Sequence, residues 1–95
     1  MQEIINTRTA TKKTVIAEGG NYKTALFVID KEKGIHDHKT EGFGLLQVLS
    51  GAVTLTQAGK KTYLQKEDFL SFNAALPHSI TADTRSRIIM TVIKS

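Results

Sequence analysis

Leu45-Leu46-Gln47-Val48-Leu49-Ser50-Gly51-Ala52-Val53-Thr54-Leu55-Thr56-Gln57 has the pattern of two strands and a turn. Two runs rich in aliphatic and β-branched residues flank Ser50-Gly51, and a glycine between such runs marks a reversal, because it takes the positive φ that tight turns need. Neither run carries a helical period. In an extended strand alternate residues leave opposite faces, so Leu46 and Val48 share one face while Leu45 and Leu49 share the other. Both faces therefore ask for cover. Ile88-Ile89-Met90-Thr91-Val92-Ile93 repeats the two-sided pattern. A second sheet can cover one face; the other is expected to meet the N-terminal strand or a second copy in a homodimer.

Working outward, short β-rich runs alternate with turn residues along the whole chain. Strands are predicted near Lys13 to Ala17, Lys23 to Ile29, Gly34 to His38, Leu45 to Ser50, Ala52 to Gln57, Lys61 to Leu64, Phe69 to Phe72, His78 to Ala82 and Arg87 to Lys94. Gly19-Gly20-Asn21, Lys31 to Gly34, Ala58-Gly59, Gln65 to Asp68 and Asp83-Thr84 supply the breaks, through positive φ or local side-chain hydrogen bonds. Many short strands at this spacing predict an all-β sandwich or barrel. No repeat, low-complexity tract or linker divides the chain, so residues 1–95 are expected to form a single domain.

Composition narrows the function classes. With 95 residues, 40% hydrophobic and 23% charged, this is an ordinary globular balance. The absence of cysteine excludes disulfides, thiolate metal sites and cysteine nucleophiles, and fits a reducing compartment, so a cytoplasmic location is expected. No signal-like or membrane-spanning run is present, and no membrane partner is expected. The net charge of +4 is scattered: Arg8, Lys12 and Lys13 make one small group, while Lys60, Lys61, Arg85 and Arg87 sit beside separate turns. No aromatic residues alternate with them, so no nucleic-acid partner is expected.

The chain has three histidines, and their placement is suggestive. His36-Asp37-His38 falls in a predicted strand, where a regular pleat puts His36 and His38 on one face, and His78 follows Pro77 forty residues later. Three imidazoles brought together would offer nitrogen donors suited to a divalent transition metal such as Zn, Fe, Ni, Mn or Cu. The alternative is that the same rings merely line a polar pocket.

His36-Asp37-His38 followed by Val48-Leu49-Ser50-Gly51-Ala52-Val53-Thr54-Leu55 resembles the H-x-H and V-L-x-G-x-V-x-L elements of the cupins. Glu67-Asp68-Phe69-Leu70-Ser71-Phe72-Asn73-Ala74-Ala75-Leu76-Pro77-His78-Ser79-Ile80 resembles that family's second motif without gaps. The resemblance covers most of residues 34 to 82. It implies the cupin double-stranded β-helix, a jelly-roll-like barrel of two antiparallel sheets, and a metal on His36, His38 and His78. It does not choose a reaction, because cupins include dioxygenases, isomerases, decarboxylases, binders and storage proteins.

One departure bears on chemistry. Counting back seven positions from Gly51, to where the family commonly places a metal-binding glutamate, gives Gly44; Glu41 is a nearby substitute, and Gln47 lies on the opposite face. Phe43, Leu46, Phe72 and Met90 are candidate walls of an apolar pocket, with Tyr22 and Tyr63 as possible hydroxyl donors. Asp37 alternates away from the H-x-H face, and no general base is evident. The resulting expectation is a small metal-binding cupin, a metal-dependent enzyme acting on a small oxygenated or anionic molecule by dioxygenase- or isomerase-like chemistry. The alternative is a non-catalytic small-molecule-binding or sensing module.

Overall fold

The computed structural model describes residues 13–38 and 42–94, with the backbone alone for residues 36–38. Nine strands follow one another: β1 (Thr14–Glu18), β2 (Tyr22–Ile29), β3 (Gly34–His38), β4 (Phe43–Ser50), β5 (Ala52–Gln57), β6 (Lys60–Gln65), β7 (Phe69–Phe72), β8 (His78–Ala82) and β9 (Ser86–Ile93). They form a five-stranded sheet of order β1-β2-β9-β4-β7 and a four-stranded sheet of order β3-β8-β5-β6. All pairings are antiparallel. Among the described residues there is no helix, so none long and apolar enough to cross a membrane.

Register sorts the side chains into inward rows. Across the larger sheet, Ala25, Met90, Leu46 and Leu70 stand side by side, followed by the row Phe27, Ile88 and Val48. Ile35, Ile80 and Leu55 make the facing row of the smaller sheet. These rows interlock as the core, in which Leu46, Val48, Val53, Ile80 and Ile88 are fully buried. Each such side chain contributes about 1.5–3 kcal/mol by leaving water, which is why the alternation in β4 and β9 fixes their faces.

The β4–β5 hairpin is held at its base by one hydroxyl. Gly51 has a φ of 86°, and a Cβ there would press on the Oγ of Ser86. That Oγ accepts a hydrogen bond from the Ala52 N–H at 3.0 Å and lies 2.8 Å from the Thr84 carbonyl oxygen, to which it can donate. Ser86 is fully buried, so the polar group is satisfied where water does not reach. Close approach and backbone conformation together make position 51 a glycine position.

The β3–β8 ladder departs from the regular pleat. Ile35 pairs with Ile80 and His38 with His78, so three steps along β3 match two along β8. This is a β-bulge, with one extra residue between positions 35 and 38. The strict alternation expected across His36-Asp37-His38 is broken there, because both position 35 and position 38 pair with residues on one face of β8.

Candidate metal and ligand site

His78 opens β8 and its ring is buried, with 3% exposure. Its Nδ1 lies 3.0 Å from the Leu76 carbonyl oxygen, which can only accept. The ring therefore carries a proton on Nδ1. A metal-binding histidine characteristically donates its other nitrogen's proton to a carbonyl in this way, which fixes both tautomer and ring orientation. On its flank, Phe72 meets the His78 ring edge-on, with centroids 4.9 Å apart and planes at 71°.

The backbone brings His38 directly across the ladder from His78. The side chains of His36, Asp37 and His38, and all of Glu41, lie outside the described residues. So do Arg8 and Lys12 of the basic N-terminal group. Among the described residues, no three His, Asp or Glu side chains gather as a metal site would require.

Gly44 lies where the family pattern would place a carboxylate, and it does face inward. It is buried, in line with the buried Leu46 and Val48, while Gln47 alternates outward. Its Cα pairs with Phe72, and the Phe72 ring occupies the space that a side chain at 44 would need: an added Cβ would lie 2.6 Å from Cζ. An aromatic ring thus replaces the expected donor. The same ring touches His78, so one residue closes the site from the β4 side.

The expected pocket walls divide. Met90 is buried at 7% exposure and lines a cavity of about 430 Å³. Leu46 is core and Phe72 backs His78, but neither lines that cavity. Phe43 is corrected: it alternates outward from Gly44 and is 44% exposed, so it is no wall. Tyr22 does line the cavity, packed against Gly19, whereas Tyr63 is 72% exposed.

The cavity has an apolar floor and a charged rim. Ala25, Phe27, Ile35, Met90 and Val92 form the floor, from β2, β3 and β9. Lys13, Lys23, Lys94, Glu18 and Tyr22 stand around the mouth. Val92 belongs to the same cross-strand row as Lys23, Gly44 and Phe72, and Phe72 touches His78. The cavity and the His78 ring therefore lie toward the same end of the barrel. Sequence reasoning missed the lysines, although the alternation Lys23, Ala25, Phe27, Ile29 already put a lysine on the inward face.

No family model matches the sequence, and no curated protein matches it. Solved structures match its fold. An RmlC-like cupin from Desulfovibrio desulfuricans superposes with a TM-score of 0.86 at 18% identity, covering 98% of this chain and 97% of that one. A cupin superfamily protein from Desulfitobacterium hafniense gives 0.84 at 20% identity over 90% of this chain and 83% of its own. Salicylate 1,2-dioxygenase from Pseudoaminobacter salicylatoxidans gives 0.75 at 18% identity over 85% of this chain, which spans only 25% of that enzyme.

Proposed function

We propose that this chain, a small protein of cupin fold, binds a divalent transition metal through His36, His38 and His78 and acts on a small oxygenated or anionic molecule. The observation that carries the reading is the His78 ring: buried, set in the Nδ1–H tautomer by the Leu76 carbonyl, and opposite His38 in the ladder. These features fit an imidazole ligand. A bound divalent ion would supply Lewis-acid chemistry to an oxygen of the ligand. The chain's own residues orient the donor ring, shield it with Phe72 and provide the adjoining cavity. The neighbouring dioxygenase fold is compatible with such chemistry without assigning a reaction.

A second reading, non-catalytic binding or sensing, draws on Gly44, since the place of a fourth donor holds only the Phe72 ring. Elemental analysis of protein purified without added metal tests the metal in both readings. Near-stoichiometric metal in the native protein, lost in a folded His78→Ala variant, supports the site; equal and negligible content in both overturns it. Turnover of small oxygenated anions by the loaded protein then separates enzyme from binder.

Two further parts of the proposal concern the setting. We place the chain in the cytoplasm, the compartment a cysteine-free sequence favours. We also assign a homodimer through the outward face of the larger sheet, where Phe43 is 44% and Phe69 61% exposed. Sedimentation equilibrium should give twice the 10.5 kDa chain mass and revert to one chain in Phe69→Arg. A native monomer at tens of micromolar removes the assignment.

A further inference from the structure

We propose that the cavity between β2, β9 and β3 is a binding site for a small monoanion with an apolar body, an aryl-substituted carboxylate being the simplest example, and that lysine ammonium groups bind its charge. The inference deepens the functional reading by naming a ligand class, but it stands on the cavity and its rim alone.

The volume of about 430 Å³ falls in the range of small-molecule sites, roughly 300–1,000 Å³. The floor, with the Phe27 ring, Ile35 and the Met90 side chain, offers nothing to hydrogen-bond and much to bury. An apolar ligand body fits it. Met90 adds a thioether that can conform to an aromatic face.

The rim decides the charge. Three lysines face one glutamate there, Glu18. Among the described residues none of the three ammonium groups lies within ion-pair distance of a carboxylate; the one such pair is Arg85 with Asp30. Glu18 and Lys23 are register partners across β1 and β2, yet they do not pair. The Lys13 Nζ instead sits over the Phe27 ring, 5.4 Å from its centroid. A cation held against the aromatic floor stands where an incoming carboxylate would enter, while the attached ring or branched chain lies on the apolar surface beneath. A neutral ligand of the same shape would gain the burial and forgo the charge.

The test uses the full chain stripped of metal by a chelator. In a ¹⁹F NMR titration, 4-(trifluoromethyl)phenylacetate is compared with its neutral amide. The carboxylate should bind about fivefold more tightly, the value of one partly exposed charge pair. Lys13→Met keeps the apolar stem and should shrink that preference; adding Lys23→Met and Lys94→Met should abolish it while amide binding persists. Amide chemical-shift changes should fall on Ala25, Phe27, Met90 and Val92. Equal affinity of acid and amide, no binding of either by folded protein, or a preference that survives the triple variant overturns the proposal. So does acid binding that appears only after zinc is added, which would assign the anion to the metal. Metal content scores the metal reading separately, so the two can fail independently.

Discussion

The Phe72 ring fills the space above Gly44, 2.6 Å from where a Cβ at that position would lie, and its edge-on contact with His78 keeps it there. The glycine and the aromatic ring are one unit. What reads in sequence as a missing donor is, in the fold, a place given to an aromatic side chain that packs a buried imidazole.

Gly44→Ala should therefore destabilise the protein by about 1–3 kcal/mol, as overpacking a fitted site does. Phe72→Leu in the same chain should recover part of the loss, a coupling that a double-mutant cycle in urea denaturation measures. A glutamate at position 44, as the family pattern has it, needs the ring removed first. Gly44→Glu with Phe72→Ala should hold metal more tightly than Gly44→Glu by itself; equal retention would show that position 44 does not point at the ion.

Ser86→Ala should cost about 1–3 kcal/mol, because it leaves the half-buried Ala52 N–H without its acceptor. Gly51→Ala should cost at least as much, since it adds both a clash with Ser86 and a strained φ of 86°. Thermal or urea unfolding of the two variants checks this. A Ser86→Ala protein as stable as the native one would show that the hydroxyl contributes little to the hairpin's base.

The metal-free His78 ring should carry its proton on Nδ1. Long-range ¹H–¹⁵N correlation distinguishes the two nitrogens, and the Nδ1 resonance should have the shift of a protonated pyrrole-type nitrogen. An Nε2–H tautomer would contradict the hydrogen bond to Leu76 and with it the orientation of the proposed donor.

Much of the architecture was legible in the sequence, for a definite reason. Short strands such as His78–Ala82 are bounded by residues that interrupt pairing, and two-sided apolar strands such as β4 and β9 take interior places in the larger sheet. The inward face of Gly44 also followed from alternation with Leu46 and Val48. The bulge in β3 was not legible, because an extra residue in a ladder depends on its partner strand, and Ile35-His36-Asp37-His38 alternates plausibly without one. Phe43 was misplaced because hydrophobicity does not state which face of a strand end is covered. The lysine rim escaped notice because Lys13, Lys23 and Lys94 are far apart in sequence and meet only when β1, β2 and β9 lie side by side.

X-ray absorption at the metal edge counts the imidazoles on the ion. Protein loaded with one equivalent of zinc should show a first shell at about 2.0–2.1 Å with the outer-shell scattering of three imidazoles. That count should fall to two in folded His36→Ala, His38→Ala or His78→Ala. A shell with one imidazole or none in the native chain, or a spectrum unchanged by His78→Ala, would rule out the three-histidine site.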